Sequence, residues 1–439
     1  MLRKGDLTQG GITGTLLHFT LPMLVGSFLQ QCYNIADTLI VGQCIGAGAL
    51  AAVGSAYTLM VFLISVLLGL AMGSGTVFSL HYGAGNHVAL RRSIFSSFAL
   101  IGIVTLILNV VVFIWLDPIL RLLQVPQDIY GMMRSYLWII FCGIVFTFIY
   151  NFYASLLRAV GDSVTPLWFL AVSVVLNIAL DLFFILQLDW GIQGAAAATV
   201  LAQGVAALGI IIYTYRRRPE LRWHHEDMCF DRTCLKEIAS FSTLTCVQQS
   251  VMNLGILMVQ GLVNSFGTAV MAAFAAAVKI DSFAYMPVQE FGNAFSTFIA
   301  QNFGARKEER IRKGVKSALI TTVLFSLVIS ILVFLFAKPL MLIFVRPHET
   351  EILNIGISYL RIEGAFYCGI GILFLLYGYY RAIRMPGMSV VLTILSLGTR
   401  VVLSYRLASI PSIGATGIWW SIPIGWFLAD LAGIAYFRF

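Results

Sequence analysis

Charge is what this sequence has least of: Lys, Arg, Asp and Glu make up 11% of its 439 residues, about half the share of an average soluble domain. A chain so poor in charge, 59% apolar and with a mean hydropathy of +0.90, is excluded from the soluble globular class. Cysteine is sparse as well. Its seven copies, at 32, 44, 142, 229, 234, 246 and 368, lie mostly within apolar runs, where a free thiol is a small hydrophobe, and they form no disulfide framework. One loop, HHEDMCFDRTC from His224 to Cys234, gathers two His and two Cys, but in no common zinc spacing. A structural loop is the expected reading there, and a metal site is the alternative. The alternating ten-residue segments of a membrane barrel are missing. So are the zinc-protease helix, the P-loop and the nucleophile elbow, which leaves an integral-membrane enzyme as a remote reading. The opening MLRKGDLTQGG is short and polar, and no signal peptide is expected of it.

What the chain does have is apolar runs long enough to cross a bilayer as helices, about 20 residues each. Twelve are predicted, centred near residues 28, 65, 104, 146, 177, 203, 251, 286, 326, 369, 398 and 426. The fold class is therefore all-α integral membrane. AMGSGTVFSLHYGAGNHVALRR (71–92) matches GNAFSTFIAQNFGARKEERIRK (292–313) at an offset of 221 residues, and GIQGAAAAT (191–199) matches GATGIWWSI (414–422) at an offset of 223. Two homologous bundles of six spans are expected: an N-lobe at 1–215 and a C-lobe at 238–439, joined by a polar linker at 216–237. Six is even, so the repeat is parallel, and such a duplicated bundle offers a cleft between lobes that alternating access can use. A scaffold without transport would have no reason to bear the intramembrane charges described below.

The net charge of +8 does not read as nucleic-acid binding. With the N-terminus inside, 20 of the 28 Lys and Arg fall on inner segments, among them Arg3, Lys4, Arg91, Arg92, Arg158, Arg381, Arg384, Arg438 and the clusters at 216–236 and 306–316. This asymmetry predicts a multi-pass plasma-membrane protein with both termini cytoplasmic. The basic runs at 216–218 and 306–313 suit orientation and contact with lipid head groups.

Six acidic residues fall inside predicted spans: Asp37, Asp181, Asp281, Glu290, Glu363 and Asp430. An ionisable group at that depth is costly and points to function. In QQCYNIADTLIVGQCIGAGALAAVG (30–54), Gln30, Asn34 and Asp37 share one helix face, as do Ser173, Asn177 and Asp181 on the fifth span. Asp37 and Asp181 both lie roughly 8–9 Å below the outer surface. Thr199 lies within a turn of that level and Asn151 deeper. Two carboxylates at close range in a poorly solvated place cannot both be ionised cheaply, so the pair should hold a proton or a cation such as sodium. In the C-lobe the positions of Asn177 and Asp181 are taken by Arg400 and Ser404, and Asp37 falls near Gly255. Lys279 and Arg400 there call for counter-ions, which Asp281, Glu290 or Glu363 would supply as structural pairs. Gln248 and Gln249 repeat Gln30 and Gln31 and would line the cleft. Pro166 is expected to begin the fifth span, and Pro287, mid-span, to bend the eighth.

YNIADTLIVGQCIGAGALAAVG, LLRAVGDSVTP, the Asn177 and Asp181 pair, KIDSF at 279–283 with MPVQEFGNA, and QNFGA at 301–305 together resemble the MATE (multidrug and toxic compound extrusion) family over nearly the whole chain. The resemblance implies a twelve-helix antiporter that expels organic cations and other amphipathic compounds in exchange for protons or sodium ions. The buried acids are similar to those of the DinF-like branch, whose N-lobe site carries over onto Asp37, Asn151, Asn177, Asp181 and Thr199. They depart from the NorM-like branch, with Gln248, Gln249 and Gly369 where that branch has acids in spans 7 and 10. The expected partners are a drug-like small molecule and membrane lipid, with no nucleic acid. The expected state is a monomer, with no cofactor beyond the coupling H+ or Na+. A flippase for a lipid-linked saccharide is the nearest rival, since Lys279 and Arg400 would suit a pyrophosphate.

Overall fold

The computed structural model describes residues 6–122, 125–228 and 231–437. Arg3, Lys4 and Arg438 of the charge pattern and Cys229 of the His/Cys loop lie outside the described residues. With no water in hydrocarbon to bond backbone groups, continuous apolar runs satisfy them internally as helix, and the described residues form a succession of α-helices. In order come α1 (Ile12–Cys44), α2 (Ala47–Gly83), α3 (His87–Leu122), α4 (Gln127–Cys142), α5 (Ile144–Ala159), α6 (Val164–Leu182) and α7 (Gly191–Arg217). They are followed by α8 (Arg232–Asn264), α9 (Thr268–Gly304), α10 (Glu308–Leu342), α11 (Thr350–Gly364), α12 (Tyr367–Ala382), α13 (Pro386–Ala408) and α14 (Thr416–Tyr436).

Ten of these segments are long and apolar enough to span on their own, and two bent pairs bring the number to twelve. The pairs are α4 with α5, bent by 47°, and α11 with α12, bent by 51°. The first bend falls at Gly143, whose missing side chain lets the break sit directly on α7: a Cβ there would come within 2.5 Å of Val200. Pro166 is the third residue of α6, where its missing N–H costs nothing. Pro287 breaks no helix. α9 runs through it as one helix, and α10 has non-helical dihedrals at Phe336 (φ −97, ψ 15).

The duplication is visible in the turns. After α2, Gly85 is left-handed at φ 68, and the N–H of Asn86 donates back to His81 O at 3.1 Å. After α9, at the matching place, Arg306 has φ 55 and the N–H of Lys307 donates to Asn302 O at 2.9 Å. Gly161 (φ 85) and Arg384 (φ 66) repeat the arrangement after α5 and α12, with the next N–H bonded back at 2.9 Å in both. This is the left-handed stop that closes the last carbonyls of a helix.

Two compact units result, Met1–Asp6 with Leu21–Cys246 and Leu7–Thr20 with Val247–Phe439. The expected linker, 216–237, lies within the first. So does the start of α8, which meets α2 through Ser74 and Ser242 (Oγ to Oγ 2.9 Å) and through His81 Nε2 and Glu237 Oε2 (3.3 Å). The linker docks by Trp223 against Phe95, Phe98 and Tyr215, and by Arg91 Nε donating to Asp227 Oδ2 at 2.7 Å. Burial pushes the Asp227 carboxyl up, but the bonds it accepts from His224 and Arg91 outweigh that and hold it below its ordinary value. In the second unit the segment before α1 is strapped down: Arg310 donates to the carbonyls of Leu7, Gln9 and Gly10, and Lys307 Nζ to Thr8 O at 2.7 Å.

Candidate functional site

The first unit brings α1, α4, α6 and α7 together around two acids. Asp181 of α6 has no exposed surface, and Asn177, one turn earlier, is 2% exposed. Asp37 of α1 is buried as well, and its carboxyl group meets that of Asp181 in a hydrogen bond. Two carboxylates repel, so such a bond needs one proton between them. The Oδ1 atom of each acid is buried without a hydrogen-bond partner, which leaves oxygen lone pairs turned into the site.

Asn177 fixes one side. With its amide oriented to satisfy its neighbours, Nδ2 donates to Asp181 Oδ2 at 3.0 Å and the side-chain oxygen accepts from the Thr199 N–H at 3.1 Å. Thr199 of α7 meets the Tyr33 hydroxyl of α1 at 3.3 Å and donates to Ala195 O at 3.1 Å. Tyr136 of α4, 4% exposed, completes the wall and lies within electrostatic reach of Asp37, Asp181 and Tyr33. Immediately past Asp181 the helix loosens into a π-helical turn, Phe183–Gln187, a feature that often accompanies functional positions. Beside Thr199, a cavity of about 20 Å³, lined by Met60, Ile140, Ile144 and Val200 among others, has room for about one water. Its polar wall is Thr147, which donates to Gln203 Oε1.

Of the expected residues, Asp37, Asn177, Asp181 and Thr199 thus come together. Asn151 lies on the same helix as Thr147 and spends its amide on the Thr147 carbonyl at 2.8 Å, one turn back. Gln30 is exposed, and Asn34 donates to Gln31 at 3.3 Å. The residue of α1 that joins the acids is instead Tyr33, one turn before Asp37. That i, i+4 spacing was present in the sequence, but an aromatic ring in an apolar run reads as packing.

In the second unit, Asp281 of α9 accepts a hydrogen bond from the Tyr367 hydroxyl at 2.6 Å and lies within electrostatic reach of Arg400 of α13 and Glu363 of α11. Lys279 is exposed on α9 and Glu290 half-buried, so no pairing with Glu290 takes Lys279 into the bundle. Gln248 is buried and Gln249 half-buried on α8. Asp430 of α14 faces the place where Gly369 has no side chain: a Cβ there would stand 3.7 Å from Asp430 Oδ2. In the linker, His224 and Asp227 stand 3.5 Å apart and Cys234 contacts Ser93 at 3.4 Å. Among the described residues no three His, Cys, Asp or Glu gather as metal ligands.

The MatE family model matches twice, over residues 22–183 and 245–406, with starts 223 residues apart. A probable multidrug resistance protein, YpnP of Bacillus subtilis, is 30% identical over the whole of this chain and 97% of its own length. The multidrug export protein MepA of Staphylococcus saprophyticus is 25% identical over 95% of this chain and 92% of its own. Among solved structures, the outward-facing conformation of a multidrug resistance MATE family transporter of the MOP superfamily superimposes with a TM-score of 0.92 at 23% identity, covering 99% of this chain and 97% of that one. A duplicated all-helical membrane fold, matched by the family along both of its halves, is that of a transporter and not of an enzyme, and the chain belongs to the MATE family of multidrug efflux transporters.

Proposed function

We infer that this transporter exports drug-like organic cations or amphipathic compounds across the plasma membrane in exchange for H+ or Na+, and that Asp37 and Asp181 are its coupling pair. The observation that carries this is the contact between the two buried carboxyl groups. A site that holds one proton between two acids can give it up to a counter-charge and take it back, and that exchange is what couples a gradient to alternating access. Thr199 and Tyr33 add two hydroxyl oxygens, so the same cage suits a sodium ion once the proton has left. Lipophilic cations are drawn to aromatic faces and carboxylates together. The pattern of acids favours the DinF-like branch, and we take the transporter to be a monomer with both termini cytoplasmic. The two six-span lobes are 1–215 and 238–439.

The test is efflux of a fluorescent organic cation from proteoliposomes under an imposed pH or sodium gradient. Gradient-driven efflux that Asp37→Asn abolishes supports the assignment. Movement of a lipid-linked saccharide without cation efflux would replace it with a flippase.

A further inference from the structure

Arg381 is a buried cation that the Asp37 and Asp181 site does not use. It stands in the last turn of α12 and is 6% exposed. Gly378, one turn earlier, lies so close to α9 that a Cβ on it would come within 2.6 Å of Gly292 O. That approach brings Arg381 onto α9, where its Nε donates to Ser296 Oγ at 3.3 Å and its Nη2 to Asn293 Oδ1 at 3.4 Å. Both partners are neutral and both bonds are long. Among the described residues no acid forms an ion pair with Arg381. The repeat sets this apart from the first half. Arg158, the counterpart of Arg381 at the offset of 223, is half-buried, and its Nε donates to Ala154 O of its own helix at 3.2 Å. Where Arg381 meets Asn293 and Ser296, the matching residues at the offset of 221 are Met72 and Gly75. Of the two arginines, the one that is buried is the one with the polar pair.

Burying a charge without an opposite one is among the costliest placements in a protein. An acid or a lysine escapes by becoming neutral, but an arginine keeps its proton. The carbonyl end of α12 offsets only part of the cost, so Arg381 calls for a counter-anion. Its neighbours suit one. Asn293 Oδ1 and Ser296 Oγ each spend an acceptor on the guanidinium, which leaves the Asn293 amide N–H groups and the Ser296 O–H to donate, beside the N–H groups of Arg381 Nη1. A set of donors around a fixed positive charge repels a metal cation and attracts an oxyanion, and the guanidinium fork matches a phosphate group two oxygens at a time. α12 ends one residue later, at Ala382, so the group lies at the end of a span, where basic pockets between helices meet lipid phosphates. We propose that Arg381, with Asn293 and Ser296, binds a phosphate group, carried by a lipid head group or by free phosphate.

The test is thermal unfolding of the purified full-length protein in neutral detergent, which needs no gradient and no transported compound and so stands apart from the coupling pair. If the free ion is the ligand, inorganic phosphate titrated against sodium chloride at constant ionic strength should raise the unfolding temperature by a few degrees with a saturable midpoint. If the lipid is the ligand, phosphatidic acid should give that rise and diacylglycerol at the same mole fraction should not. Arg381→Gln should remove either response. Asn293→Asp sets a counter-charge beside the guanidinium within the protein itself. It should raise the unfolding temperature without added phosphate and move the midpoint of the response about tenfold higher or more, and it reads the same site should Arg381→Gln fail to fold. A wild type that responds to neither probe, or a response that keeps its midpoint in Asn293→Asp, overturns the proposal.

Discussion

In the first half of the chain the left-handed turns after α2 and α5 are made by Gly85 and Gly161, and in the second half the same turns are made by Arg306 and Arg384. Inside the membrane the halves part further. Asn177 and Asp181 of α6 stand where α13 has Arg400 and Ser404, so one half offers a pair of acids and the other an acid pair with its own cation. The turns survived duplication because they are set by backbone geometry, which tolerates arginine at a cost. The charges diverged because each half needs only enough partners to neutralise what it buries.

The largest effects should come from the acids of the first half. Asp37→Asn or Asp181→Asn keeps the shape but removes the titrating oxygen, and gradient-driven efflux in proteoliposomes should fall about a hundredfold or more, with protein level in the membrane near normal. If both variants pump at the normal rate, the coupling pair is not in this half. Arg400→Gln should separate the halves the other way, by leaving Asp281 and Glu363 without their cation. A loss of roughly 2 kcal/mol in stability is expected, less than for a fully buried pair because Arg400 is only half-buried. Thermal unfolding in detergent would show it before any change in coupling.

Asn177→Ala removes a hydrogen bond and no charge, so efflux should drop about tenfold, equivalent to about 1.4 kcal/mol. A loss as large as that of Asp37→Asn would instead mark a sodium cage, in which a neutral oxygen counts alongside the carboxylates. The turns give the smallest stability effect. Arg306→Gly relieves about 1 kcal/mol of left-handed strain and gives back about 0.5 kcal/mol in the entropy of the unfolded chain, so a modest rise in unfolding temperature is expected. Gly85→Ala should lower it. Acid should loosen the linker, which docks on the first half through Trp223 and Asp227. Asp227 has a depressed folded-state value, so its contribution is present above the ordinary carboxylate range, about 3.9, and is lost as pH falls below it. Proteolysis of the linker near pH 3, compared with pH 7, would report the loss, and Arg91→Gln should bring its onset to higher pH.

The spans were legible because an apolar run of some twenty residues has one physical meaning in a membrane. The bends were not. The runs centred near 146 and 369 continue through the breaks at Gly143 and after Gly364, and nothing in a hydropathy average marks a change of direction. Asp37, Asn177, Asp181 and Thr199 stood out as polar groups where polarity is costly. Helical periodicity carries the stripe of α1 too far, however, because it tells which residues share a face and not how deep each lies, and so it groups the exposed Gln30 with Asp37. Tyr33 and Tyr136 do not stand out in the sequence because phenols are apolar by composition and polar only at the tip that reaches the site.

The strap before α1 bears on any attempt to make the two halves separately. Leu7–Thr20 belongs with the second compact unit and Arg232–Cys246 with the first, so a cut at the linker leaves each fragment holding a piece of the other's fold. A fragment starting at residue 238 would lack the carbonyls of Leu7, Gln9 and Gly10 that Arg310 binds, along with the Leu7 N–H that Gln301 accepts at 3.1 Å. Co-expressed halves could regain function only by trading those segments between chains, which makes a split version of this transporter an obligate swap of strands of helix and not a simple pairing of modules.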